Sequence, residues 1–228
     1  GMWGKLLIFS CVLPWPLAEA APWTQEEGAW YTRAALVKET VEGLHGYRGD
    51  AYLEYGWSET WTVTLKGEAV RYSGVSGFDS KGWRATARRL LYDSERIKIS
   101  AEAGLLQGSA IGGRNGCDRL GAEARMGISW SSRPRRNPYF LYLEGVGRFP
   151  GSCERQRLEA AYGHQPYPSV WTITQIWIER GATDAKSDKI QSEIVWETER
   201  FDLSFGLRQE VGNAFQEEGV FVAIARTF

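Results

Sequence analysis

Leu120-Gly121-Ala122-Glu123-Ala124-Arg125-Met126-Gly127-Ile128-Ser129-Trp130 is the stretch that decides the fold. Its apolar residues fall on every second position: Leu120, Ala122, Ala124, Met126, Ile128 and Trp130. Between them lie Gly121, Glu123, Arg125, Gly127 and Ser129. Side chains of a β-strand alternate between two faces, so this segment reads as a strand with one apolar and one polar side. The apolar side is built from Leu, Ala, Met and Ile, which suits lipid tails better than the interlocking core of a soluble sandwich.

The same period of two recurs along the chain. Tyr47, Gly49, Ala51 and Leu53 alternate with Arg48, Asp50, Tyr52 and Glu54; Trp61, Val63, Leu65, Gly67 and Ala69 alternate with Thr62, Thr64, Lys66, Glu68 and Val70. Ile97 to Leu106 repeats the pattern, and noisier versions cover Gly28–Lys38, Gly82–Tyr92, Asn137–Phe149, Arg155–Gly163, Ser169–Arg180, Lys189–Glu197, Phe201–Gln209 and Gly219–Phe228. Helix-capping signals before periodic apolar runs are absent. The expectation is an all-β, antiparallel, up-and-down transmembrane β-barrel of about twelve strands, an even number as single-chain bacterial barrels have. Val170–Glu179 is ambiguous, since both faces carry apolar residues; Gln175 and Glu179 are assigned inward.

Connections alternate in length. Short ones are expected at 56–59, 93–95, 164–168 and 198–200, with 131–138 a longer version; longer ones are expected at 39–46, 73–81, 108–116, 181–188 and 210–218, with 150–154 short for that set. Short periplasmic turns and longer outer loops are what a membrane barrel shows. Trp30, Trp57, Trp61, Tyr92, Trp130, Tyr139, Trp196, Phe201 and Phe228 lie beside the short turns or chain ends, while Tyr72, Trp83, Phe149 and Trp177 lie near the longer loops. These are read as two interfacial girdles, because amphipathic rings settle at headgroup level. In a soluble sandwich the Trp side chains would sit mid-strand in the core. The chain has 11 Trp and 10 Tyr in 228 residues, enough to supply both belts. Its net charge of −1 offers no basic excess to neutralise phosphates, which excludes nucleic acid as a partner.

The first residues read as a targeting segment. Lys5 precedes the apolar run Leu6-Leu7-Ile8-Phe9-Ser10-Cys11-Val12-Leu13, and Ala18-Glu19-Ala20 fits a small-x-small cleavage site. The expected organisation is a cleaved signal peptide at 1–20, a short periplasmic segment at 21–27 and one barrel domain at 28–228. Cleavage would remove Cys11 and leave Cys117 and Cys153, a candidate disulfide pair in an exported chain. After residue 20 no apolar run approaches the roughly 18 residues of a transmembrane helix.

The charged strand positions form the candidate site. Arg48, Asp50, Lys66, Glu68, Arg84, Arg88, Lys98, Glu102, Glu123, Arg125, Glu144, Arg148, Arg157, Glu159 and Glu193 are assigned to the lumen wall, and Arg33 shares their parity. Arg89 falls on the lipid face near a periplasmic end, where a charge costs about 0–1 kcal/mol. No catalytic residues are assigned, because His45 and His164 belong to opposite ends and neither can serve a nucleophile at the other. Two His leave no metal set either, and no cofactor motif is present. Paired carboxylates such as Glu123 and Glu144 read as a salt-bridged wall rather than an acid–base pair.

Ala51-Tyr52-Leu53-Glu54-Tyr55-Gly56, followed after a tight turn by Trp61-Thr62-Val63-Thr64-Leu65, resembles a group of uncharacterised proteobacterial outer-membrane barrel proteins of the porin or transporter kind. The last strand, Gly219 to Phe228, looks like the C-terminal signal that the outer-membrane barrel assembly machinery reads, although Arg226 stands where an apolar residue is more usual. The resemblance implies a barrel in the bacterial outer membrane, with its lipid and that machinery as partners. Two functions stay open: a small pore for polar solutes, or a closed structural or ligand-holding barrel whose lumen is filled by ion pairs. Deleting Phe228 is expected to lower the amount of barrel assembled in the outer membrane without destabilising barrels already formed. Quantified membrane fractions of cells expressing the deletion test this, and wild-type levels would count against an assembly role.

Overall fold

The computed structural model describes residues 24–74, 77, 79–108, 117–132, 138–149, 153–181, 186–212 and 216–228. The signal-peptide assignment at 1–20 lies outside the described residues. Twelve strands follow one another: β1 (Trp30–Val41), β2 (Leu44–Gly56), β3 (Trp61–Tyr72), β4 (Ser80–Asp93), β5 (Ile97–Gly108) and β6 (Cys117–Ser131). They continue with β7 (Tyr139–Phe149), β8 (Arg155–Tyr167), β9 (Val170–Gly181), β10 (Lys186–Glu197), β11 (Asp202–Glu210) and β12 (Glu217–Thr227). Each pairs antiparallel with its sequence neighbours, and β1 pairs with β12 from Tyr31↔Thr227 to Val41↔Glu217, so the sheet closes on itself. The fold is therefore an all-β, twelve-stranded, closed antiparallel barrel, and no helix occurs among the described residues.

In the closed ring each face of the alternating strands finds one environment, mostly polar inside and mostly apolar outside. An even strand number also brings both chain ends to one end of the barrel. There Trp30 and Phe228 exchange backbone hydrogen bonds, N–H to O=C at 3.2 and 2.8 Å, which finish the seam.

Several expected loops are shorter than their composition suggests. The segment 39–46 is almost all strand: β1 runs to Val41, β2 starts at Leu44, and only Glu42 and Gly43 turn, both with positive φ (49° and 80°). Both central residues with positive φ make the tight hairpin turn whose twist matches the flanking strands. Glu39 accepts hydrogen bonds inside the barrel from Arg48 and from the Tyr72 hydroxyl, so a charge that reads as loop is an inward strand position. Glu210 and Glu217 are likewise inward strand positions, and Lys186 and Asp188 extend β10 on its outward face. His45 and His164 likewise belong to β2 and β8 rather than to connections. The connections 109–116, 133–137 and 182–185 lie outside the described residues.

Trp30, Trp61, Trp83 and Trp196 point outward and are substantially exposed, as are Trp57 in its turn, Tyr139 and Phe149; Trp130 is half-buried on the same face. Arg89 is outward too, with its guanidinium 5.5 Å from the Trp61 ring. Tyr72 and Trp177 differ from the girdle assignment. Tyr72 turns inward to Glu39, and Trp177 lies inside between Arg157 and Arg208, 4.8 and 5.4 Å from its ring. Trp177 shares parity with Gln175 and Glu179, which fixes its direction whatever its chemistry.

Cys117 and Cys153 are joined by a disulfide, with Cα atoms 4.5 Å apart. The pair sits against the inner face of β6 beside Leu106. Gly121 makes the space: a Cβ there would lie 2.5 Å from the Cys153 sulfur. The bond closes a loop of 36 residues of sequence separation, which in the chain-entropy account is about 4 kcal/mol. The double variant Cys117→Ser/Cys153→Ser is expected to lower the temperature at which the folded gel band converts to the unfolded one. An unchanged conversion temperature, under oxidising conditions, would show that the bond carries no stability.

A charged interior as the candidate site

The inward positions of the barrel form a connected set of ion pairs. Arg88 on β4 reaches Glu54 of β2 at 3.1 Å and Glu102 of β5 at 2.9 Å. Glu102 lies 3.5 Å from Arg125 of β6. The Arg125 guanidinium forks, donating to Glu123 at 3.0 Å and to Glu144 of β7 at 2.8 Å. Glu123 also accepts from Arg148 at 2.8 Å and pairs with Arg84 at 3.7 Å. The planar fork of arginine suits this role, because it can hold two carboxylates from different strands in fixed directions.

Neutral groups carry the chain further round the wall. Glu159 accepts from the Tyr142 hydroxyl at 2.9 Å and from the Gln175 amide at 2.8 Å. Gln191 donates to Gln175 at 3.1 Å, and Arg208 donates to Gln191 at 3.0 Å. Arg33 of β1 pairs with Glu193 of β10 at 3.4 Å, past the inward faces of β12 and β11. On β3, Thr64 hydrogen-bonds Thr86, and on β12 only Phe221, Ala223 and Ala225 face inward in this belt, with Arg33 5.9 Å from the Phe221 ring.

Burial separates the middle of the interior from its ends. The side chains of Arg88 and Arg125 are each 2 % exposed, and those of Glu54, Glu102, Glu123 and Glu144 are 4 % or less. Toward the end opposite the chain termini, Arg157 rises to 22 % and Lys189 to 17 %. Arg48, held by Glu39 and Glu68 at 3.3 Å, and Lys66, 2.9 Å from Glu68, are part-exposed there. Asp50 lies on the same wall. At the other rim Lys98 pairs with Asp93 in the open, with 39 % of its side chain exposed. Water reaches both ends and is kept from the middle belt.

Below that belt, toward the chain ends, the interior is aromatic and apolar. Tyr31, Tyr52, Phe140, Tyr142, Trp171, Ile173 and Val195 pack into one buried cluster with Ala161 and Ala225. The charge pattern gave no sign of this cluster. Its signal was the double apolar character of Val170–Glu179: Trp171 and Ile173 face in, while Ile176 and Ile178 face out. The segment before β1 closes over this end. Gln25 donates its backbone N–H to Thr62 and its amide to Glu54 Oε2, both at 2.9 Å, so residues ahead of the first strand reach into the barrel mouth.

Acid–base or nucleophilic chemistry has no assembled centre around the histidines. His45 contacts Thr40 at 3.1 Å, and His164 contacts Thr172 at 2.9 Å and stacks on Tyr162, at opposite ends of the barrel. Among the described residues no group of three or more His, Cys, Asp or Glu side chains is placed to hold a metal.

No family model matches the chain, and no curated protein matches it in sequence. Solved structures do match in fold. An outer membrane channel from Pseudomonas putida F1 superposes with a TM-score of 0.62 at 12 % identity, covering 93 % of this chain and 100 % of that one. The KdgM porin gives 0.60 at 9 % identity, covering 86 % and 99 %. The outer membrane protein Omp33 of Acinetobacter baumannii gives 0.55 at 9 % identity, covering 89 % and 99 %. At these identities the likeness is one of fold: the chain has the barrel architecture that these outer-membrane channels and porins share.

Proposed function

We propose that the protein is an integral barrel of the bacterial outer membrane and acts as a gated, low-conductance channel for small polar solutes. The belt of apolar side chains on the outside, with aromatic residues toward both ends, supports the membrane location, as does the barrel likeness. The observation that carries the channel reading is the make-up of the middle belt: its barrier is hydrogen-bonded charge rather than interlocking apolar packing. Ion pairs exchange partners and admit water without loss of wall structure, because the wall is held by backbone ladders. Arg48, Lys66, Arg157 and Lys189 would face an entering solute at one mouth, and both the Arg88–Glu102–Arg125 line and the cluster around Trp171 would have to part for it to pass.

The second reading, a permanently closed structural or ligand-holding barrel, is favoured by the near-complete burial of that same line. Planar-bilayer recording separates the two. For a gated channel, wild-type protein gives brief small openings, and Arg88→Ala/Glu102→Ala prolongs them several-fold. Silence from both proteins, each inserted as a folded barrel, would overturn the channel and leave the closed barrel.

Removing one partner from the buried line also tests its energetic role. Arg125→Ala takes the guanidinium from Glu144, while Glu123 keeps Arg148 and Arg84, and is expected to cost about 3–5 kcal/mol of barrel stability. Urea unfolding in vesicles, followed by Trp fluorescence, measures the difference. A change within error would mean that the belt is hydrated and does not depend on its pairs.

A further inference from the structure

The outer surface carries a groove that the channel reading leaves unused. Its volume is about 660 Å³ and it crosses the outward faces of β9 to β2. Thr172, Thr174 and Ser192 are short there, and Ile194, Phe205, Leu207 and Val220 stand round them. Strand pairing shows how the groove runs. Thr174↔Ser192, Ser192↔Leu207 and Leu207↔Val220 form one continuous row, which goes on as Val220↔Lys38, Lys38↔Tyr47 and Tyr47↔Arg71. Because the strands tilt, this row climbs. Thr174 lies in the part of β9 near the chain-end rim, whereas Arg71 is one residue from the opposite end of β3. From Thr174 to Lys38 it passes four strand spacings, roughly 19 Å.

The upper end of the row is cationic. Lys38 and Tyr47 line the groove itself, and Arg71 follows Tyr47 in the row. Lys81 pairs with Ala69 beside it, all of them on the outward face. Among the described residues Lys38, Arg71 and Lys81 make no ion pair with any acid, unlike Arg180, which points outward and is held by Asp188 at 2.6 Å. An apolar trough ending in uncompensated cations, with an amphipathic ring between them, complements a molecule with an anionic head and a long alkyl chain.

We propose that this face is a binding site for a phosphorylated glycolipid of the outer leaflet. One acyl chain lies in the groove from Val220 down to Thr174, and a head-group phosphate sits between Lys38 and Arg71, with Lys81 beside it. The proposal rests on the outer-membrane reading, which puts the loop end of the barrel in that leaflet. A second copy of the chain is the competing occupant, but it would bring no anion of its own to Lys38 and Arg71 by necessity.

Native mass spectrometry of the full chain in detergent tests the site, with a diphosphorylated, multiply acylated disaccharide lipid as probe. Wild type should retain one probe molecule at least tenfold better than the dephosphorylated form, and inorganic phosphate should not compete. Lys38→Glu/Arg71→Glu should abolish the preference, and Ser192→Trp, which fills the trough, should weaken retention of both forms. Heat-dependent gel migration confirms that each variant is a folded barrel. Equal retention of the two lipid forms by wild type, or unchanged retention by the folded variants, overturns the site. So does a protein dimer that Ser192→Trp dissolves. Vesicle insertion is scored separately: insertion without phosphate preference overturns the site alone, whereas failure to insert overturns the membrane reading as well.

Discussion

Closure of the backbone ladder is the constraint on which everything else depends. In a twelve-membered ring each strand has two neighbours, so peptide groups are paired on both sides and no edge is left. An open sheet of this length would present two unpaired rims, each a template for aggregation. Once the ring is closed, side-chain chemistry is released from the task of holding the wall. That is why outward positions here can be as plain as Gly49, Ala51, Gly67 and Ala69, and why inward ones can be charged.

The inward charges then face a physical choice between hydration and pairing. Taking an ion from water costs several kcal/mol, and pairing recovers it only when geometry is good and the remaining lone pairs are satisfied. In the middle belt the groups are shared: Glu123 serves Arg84, Arg125 and Arg148, and Arg125 serves Glu102, Glu123 and Glu144. Sharing ties strands that are not hydrogen-bonded neighbours, as Arg33 and Glu193 show across β11 and β12. Strand number and register set the cross-section, and the network cross-ties strands within it.

What could be read from the sequence was whatever parity controls. The strand from Leu120 to Trp130 assigns Glu123 and Arg125 to one face without any knowledge of their partners, and the same holds for Arg88, Glu102 and Glu144. Partner choice was illegible, since it depends on register between strands far apart in sequence, such as β2 with β4 across β3. Charge near a turn reads as loop, yet Glu39 belongs to β1, alongside the Arg48 of β2. Aromatic residues were misread where proximity to a loop outweighed parity, as for Tyr72 and Trp177. The aromatic cluster around Trp171 was missed because an inward face described as polar was not expected to be apolar at one end.

The disulfide has a mechanical consequence. Counted round the ring, the link over β6 and the β7–β8 connection stands diametrically opposite the β1–β12 seam. One side of the circumference is covalently fastened, and the other is held by a zip of backbone hydrogen bonds ending at Trp30 and Phe228, with the Arg33–Glu193 pair inside it. Any force that spreads the wall therefore meets a covalent link on one side and exchangeable bonds on the other.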